Sequence, residues 1–143
     1  MTIRPATAQD FEVAKAWLVA AGLPTADLSE SQMEHFLVAV TDGTPVGMIG
    51  LEPFNDSGLL RSLVVDPVAR GGGIARNLVA ALEVNAASLG IATLWLLTTD
   101  ADAYFAAQGY EVKPRDAAPD SIRITTEFSK LCPGDAVLMR KVL

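Results

Sequence analysis

Cysteine is almost missing from this 143-residue chain. A single one, Cys132 in "LCPG", excludes an internal disulfide and both usual zinc patterns, and its ordinary role is that of a small core or turn residue. Histidine is equally scarce, with His35 the only imidazole. Basic residues are outnumbered, 11 Lys and Arg against 17 Asp and Glu, and the formal net charge of −6 argues against a broad nucleic-acid surface. No apolar run approaches the length of a membrane span and no charged-then-apolar leader opens the chain, so a soluble, cytoplasmic protein without a membrane partner is expected. Repeats, disordered tails and linkers are also lacking. The length suits one domain, residues 1–143, able to bury a core without staples.

Glycine, by contrast, is concentrated in one place. "RGGGIARNLVAALEVNAASLG", residues 70–90, sets three glycines ahead of an apolar stripe at Ile74, Leu78, Leu82 and Leu89, with Val79 beside it, which is the spacing of an amphipathic helix. A helix start presents main-chain N–H groups without intrahelical partners and a partial positive charge, and glycines let an anion approach them. Arg70 and Arg76 add charge. The segment reads either as a phosphate cradle or as a flexible loop before a surface helix. "GLLRSLVVDP", residues 58–67, precedes it as a buried strand stopped by Asp66-Pro67. Two nucleotide-binding patterns share this order and fail on the letters: Ile74-Ala75-Arg76 lacks the Gly-Lys-Ser/Thr of a P-loop, and Arg76 stands where the dinucleotide fingerprint needs its last glycine.

Leu63-Val64-Val65-Asp66-Pro67 followed by Arg70-Gly71-Gly72-Gly73-Ile74-Ala75 resembles the fourth strand and R/Q-x-x-G-x-G/A loop of the GNAT superfamily of N-acetyltransferases. "YFAAQGY", residues 104–110, is similar to that family's F-Y-x-x-x-G-F helix and turn. The resemblance covers nearly the whole chain and implies an α/β GNAT fold, a mixed central sheet flanked by helices. It implies acetyl-CoA as cofactor. Its pyrophosphate would lie on the amides of Arg70, Gly71, Gly72, Gly73, Ile74, Ala75 and Arg76, and its pantetheine arm along Leu63, Val64 and Val65, with the Val65 amide facing the oxyanion. "LLRSLVVDPVARGGG", "LWLLTTDADAYFAAQGY" and "FSKLCPGDAVLMRK" together look like the small GNAT enzymes of arsenic-resistance operons, and "LLTT" with the following helix and Gly-Tyr is similar to the acetyltransferase domain of bacterial N-acetylglutamate synthases. Both hints imply a small anionic or amino-acid-like amine as acceptor.

The walk along the chain yields a first strand at residues 2–4, a helix from Thr7 or Ala8 to about Ala20, and a brief helix opening at Ser29. Strands at 36–40 and 46–51 flank an Asp42-Gly43 turn, and Asn55 to Gly58 turns into the glycine-loop strand. A helix over 73–89, a strand over 93–97, a short helix over 101–108, a helix near 120–130 in a long loop and a closing strand over 136–142 complete the order.

Acetyl transfer needs a deprotonated amine, a polarised carbonyl and a proton for the departing thiolate. The family's tyrosine acid falls at Phe105, one residue beyond Tyr104, so Tyr104 is the candidate acid, against a packing aromatic. Strand alternation places Leu59, Arg61, Leu63 and Val65 on one face. Leu59 replaces a carboxylate base of many relatives, which leaves Glu52 on the neighbouring strand as candidate base. Arg61 among apolar neighbours must meet an anion, either the substrate's or that of Glu52, unless it reaches solvent. Thr98 and Thr99, at the end of the fifth strand, are placed for the acceptor. His35 is a substrate-side candidate against a surface or capping role. No metal is expected, and direct arsenite chemistry on one thiolate is disfavoured. The expected protein is an acetyl-CoA-dependent N-acetyltransferase of a small amine, linked to arsenic resistance by the narrower resemblance and open to a homodimer. The alternatives are a catalytically silent acyl-CoA sensor and an arsenic-binding accessory protein.

Overall fold

The computed structural model describes residues 1–22, 25, 30–125 and 136–143. Among the described residues seven strands form one sheet: β1 (Thr2–Pro5), β2 (Phe36–Thr41), β3 (Thr44–Phe54), β4 (Ser57–Val65), β5 (Thr93–Thr98), β6 (Glu111–Lys113) and β7 (Val137–Val142), in the order β1-β2-β3-β4-β5-β7-β6. The helices are α1 (Phe11–Ala20), α2 (Ile74–Ser88), α3 (Asp102–Ala107) and α4 (Asp120–Arg123). Antiparallel neighbours make up the sheet except at β4 and β5, which are parallel. Among the described residues no helix is long and apolar enough to cross a membrane.

Tight turns explain the first hairpins. Asp42 and Gly43 both have positive φ, 51° and 77°, which matches the twist of a two-residue connection, and Asn55 at 58° does the same between β3 and β4. α1 follows a capping box in which the Asp10 carboxylate accepts from the Thr7 N–H at 2.7 Å. Arg4 holds the same carboxylate by two bonds, 2.9 and 3.1 Å, so the Asp10 pKa is lowered by Arg4 and that of Arg4 raised in turn.

The core lies on both sides of the sheet. α2 covers one side with Leu78, Val79, Leu82 and Ala86, against Leu37, Ile49, Leu51, Leu60, Leu94 and Leu96. α1 covers half of the other with Ala14 and Leu18 over Phe36, Val38, Met48 and Val64, and α4 sets Ile122 over Leu59, Trp95 and Leu138. Leu89, expected inward from periodicity, lies past the end of α2 and is exposed. β3 runs further than expected, to Phe54, and β6 was not foreseen. The helix expected near 120–130 ends at Arg123, and residues 126–130 and Cys132 lie outside the described residues, as does Ser29.

The expected alternation of β4 is corrected by a bulge. The β3–β4 register jumps between Met48↔Val64 and Gly50↔Arg61, and Ser62 takes φ 60°, a left-handed value inside a strand. The extra residue turns the strand over. Leu59 and Arg61 face the α4 side with Glu52, whereas Leu63 packs with Leu60 on the α2 side.

Candidate active site

The site begins where β4 leaves β5. Their ladder covers Ser57↔Thr93, Gly58↔Leu94 and Leu59↔Trp95 and then stops, although β4 continues to Val65 and β5 to Thr98. From Leu60 to Val65, roughly 17 Å at 3.3 Å per residue, a slot opens between the strands. The Asp66 N–H bonds to the Val46 carbonyl on the β3 side at 2.8 Å, so the N–H and C=O of Val65 point the opposite way, into the slot. Arg70 Nε donates to that carbonyl at 3.1 Å.

Beyond Val65 the slot widens into a cleft of about 610 Å³. Leu63, Val64 and Val65 form one wall; Arg70, Gly71, Gly73, Ile74, Ala75 and Arg76 form the floor; Tyr104 and Gln108 of the α3 segment stand opposite. Gly71 and Gly73 have φ 90° and 79°, values that an L side chain rarely adopts, and Gly73 is the N-cap of α2 without a side-chain cap bond. Its carbonyl accepts from Asn77, so the amides at the first turn of α2 remain aimed at the cleft. A Cβ on Gly73 would stand 3.4 Å from Arg76 Nη2, which shows how closely Arg76 folds over the loop. An uncapped helix start, two left-handed glycines and two arginines around a cleft suit a diphosphate. Gly72, also expected there, is exposed and does not line the cleft.

One residue of helical rotation separates the two aromatics of α3. Phe105 is buried in the α2-side core, edge-on to Tyr104 and Tyr110, and does not line the cleft. Tyr104 does, and its hydroxyl has no hydrogen-bond partner among the described residues. Burial raises the Tyr104 pKa and the Arg76 charge partly offsets this, so the phenol keeps its proton at neutral pH. The turn behind it is rigid: Tyr110 Oη donates to Glu83 Oε2 at 3.0 Å, and Lys141 Nζ bonds both Glu83 oxygens and the Gln108 carbonyl. Burial, then the charge and hydrogen bond of Glu83, push the Tyr110 pKa far upward. This network carried no mark in the sequence beyond the Gly-Tyr turn.

On the α4 side of the sheet lies a second group. Arg61 has a side chain with 0% exposure, and its Nη1 is 3.6 Å from Glu52 Oε1, longer than a closed charge-assisted hydrogen bond. Ser62 Oγ accepts from Arg61 Nε at 3.1 Å. Gly50, opposite Arg61, leaves room for the Phe36 ring, which an added Cβ would overlap. Neither Glu52 nor Arg61 lines the cleft. Thr98 accepts from the Ala101 N–H at 2.9 Å and so holds the turn into α3, Thr99 is exposed, and His35 sits 3.2 Å from Glu34 ahead of β2. These three also stand away from the cleft lining. Among the described residues no cluster of His, Cys, Asp and Glu could hold a metal ion.

Comparison with known proteins points the same way. The family model described as Acetyltransferase (GNAT) family matches residues 5–110. The amino-acid acetyltransferase of Pseudomonas syringae pv. syringae is 33% identical over 97 residues, and that of Neisseria meningitidis serogroup A 30% over 96; each match covers 66% of this chain and 22% of the relative. The chain thus spans about a fifth of the length of these curated relatives. In three dimensions it is similar to N-acetylglutamate synthase from Neisseria gonorrhoeae, solved with coenzyme A and N-acetyl-glutamate, with a TM-score of 0.88 and 25% identity over 99% of this chain and 35% of that one. Rv2747 from Mycobacterium tuberculosis, solved with CoA and NLQ, shares the fold at TM-score 0.82 and 22% identity, covering 100% of this chain and 99% of that one.

Proposed function

The chain belongs to the Acetyltransferase (GNAT) family, and we propose that it is an N-acetyltransferase that uses acetyl-CoA and whose acceptor is the amine of a small amino acid or amino-acid-like molecule. In this reading residues 1–143 act as a single domain in the cytoplasm. The observation that carries it is the buried Arg61, on the stretch of β4 where the slot opens, beside the half-buried Glu52 of β3. A zwitterion is the charge complement of such a pair. Its carboxylate goes to the guanidinium and its ammonium to the carboxylate, so each added charge meets its opposite. The names of the relatives, amino-acid acetyltransferase and N-acetylglutamate synthase, support the same class.

Acetyl-CoA supplies the activated acyl group as a thioester. The amides of Gly71 and of Gly73 to Arg76, with the Arg70 and Arg76 guanidinium groups, would hold its diphosphate, and the slot-facing main chain of Leu63 to Val65 would line its arm. Glu52 accepts a proton from the acceptor's ammonium at the far end of the slot. Tyr104 Oη holds a proton at the cleft wall for the leaving sulfur. Organoarsenical amino acids carry the same zwitterionic head, which is how the arsenic-operon resemblance enters the acceptor class.

Thiol release tests this with free amino acids, organoarsenical amino acids and the α-amides of both. Free acids are expected to turn over and amides to lag. Arg61→Ala should raise KM for the free acid by about 100-fold, the loss of a charge-assisted contact, and leave the amide within a few fold. Equal effects on acid and amide would contradict the zwitterion reading. Coenzyme A binding without turnover of any amine would make the protein a silent acyl-CoA sensor.

A further inference from the structure

Ser62 lies between the two halves of the site, and the role assigned to it rests on the reading that Arg61 engages the acceptor's carboxylate. The residue is buried and takes φ 60°, where glycine or asparagine is the usual occupant. Its backbone is the reason that Arg61 and Leu63, two apart in a strand, face opposite sides of the sheet: Arg61 toward Glu52, Leu63 into the cleft. Glycine would make that turn without strain. What serine adds is a hydroxyl, and Ser62 Oγ accepts from Arg61 Nε at 3.1 Å. The guanidinium is planar with its N–H groups in a fixed fork, so tying Nε fixes the plane and turns the Nη edge toward Glu52, where Nη1 lies 3.6 Å from Oε1. The strained position thus carries a side chain that grips the neighbouring arginine, which makes the outlier a pointer to function.

We propose that Ser62 is a positioning residue for the acceptor: it holds Arg61 so that the Nη edge meets a carboxylate beside Glu52, and so sets the preference for amines that carry a neighbouring carboxylate. It acts through Arg61 and touches neither the cofactor cleft nor the reacting atoms. Cofactor affinity is therefore independent of it.

Ser62→Gly tests this, because glycine keeps the left-handed turn and removes only the hydroxyl. The thermal midpoint and the coenzyme A Kd, by calorimetry, should hold. With the free amino acid that turns over fastest, KM should rise about tenfold, whereas KM for its α-amide should stay within about twofold. In an Arg61→Ala background, adding Ser62→Gly should change neither value by more than about twofold, because the hydroxyl has lost the group through which it acts. Equal shifts for acid and amide, or full multiplication of the two substitutions, would overturn the proposal. If Arg61→Ala itself leaves the acid preference intact, the zwitterion reading fails; if Arg61→Ala abolishes the preference and Ser62→Gly preserves it, only the role of Ser62 falls.

Discussion

At the C-terminal end of β4 the site is built from main chain, with amides freed by two left-handed glycines and an uncapped helix; in the middle of β4 it is built from side-chain charge, Arg61 against Glu52 on the opposite side of the bulge. The first region costs the fold little, because its exposed amides are wetted when empty and no buried group depends on a ligand. The second is part of the core. Removing Arg61 takes a charge partner from the half-buried Glu52 and leaves a hole in the core, so function and stability are bound together there and separable at the loop. The two regions meet at the slot, and the bulge at Ser62 lets one strand serve both.

The largest expected effect breaks the loop alone. Gly73→Val puts a β-branched residue at φ 79° and a Cβ against Arg76; it should weaken coenzyme A binding by about 100-fold or more in calorimetry, while the left-handed strain lowers stability by about 1–3 kcal/mol. If stability falls and coenzyme A affinity is unaltered, the loop is structural and the contrast between the regions disappears. Arg61→Ala should do the reverse, leaving coenzyme A affinity near its original value and lowering unfolding free energy by about 3 kcal/mol in denaturant titration. An Arg61→Met, Glu52→Leu double variant, which removes both charges, should recover most of that loss without recovering turnover.

Tyr104→Phe sharpens the comparison from the cleft side. Its hydroxyl has no hydrogen-bond partner among the described residues, so stability should not fall, and kcat should drop roughly tenfold, below the usual range for acid catalysis because a thiolate leaves readily. With the Tyr104 pKa raised by burial, no alkaline loss of kcat from this group is expected until above about pH 10. A kcat that falls with the titration of an ordinary phenol or below it would contradict the assignment.

The smallest effect lies farthest from both regions. Asp10 has its pKa lowered by Arg4, so its contribution is present above the ordinary carboxylate value of about 4 and is lost as pH falls through the lowered one. Asp10→Asn should cost about 1 kcal/mol at pH 7 and flatten the acid limb of the stability profile, with acetyl transfer unaltered.

The loop end was legible because its physics is local. Glycines, flanking arginines and the apolar stripe of α2 are contiguous, and the order of strand, loop and helix states where the anion goes. The Glu52–Arg61 pair was legible only as a possibility among others, since it depends on the β3–β4 register. The bulge was not legible at all: Ser62 is an ordinary letter in a strand of leucines and valines, and its positive φ follows from how β3 and β4 pair. Reading alternation straight through it put Leu63 on the wrong side. β6 was missed because three residues, Glu111–Lys113, are too few to show a period and owe their strand to β7. Tyr104 came within one position of the familiar spacing, and the rotation that buries Phe105 leaves Tyr104 on the cleft.

The most direct measurement is a crystal structure of the protein with coenzyme A. The diphosphate is expected within hydrogen-bonding distance of the amides of Gly71 and of Gly73 to Arg76, with the pantetheine arm between β4 and β5 and its sulfur on the Tyr104 side of the slot. Coenzyme A bound on the α4 side of the sheet, or anywhere that leaves those amides facing water, would contradict it.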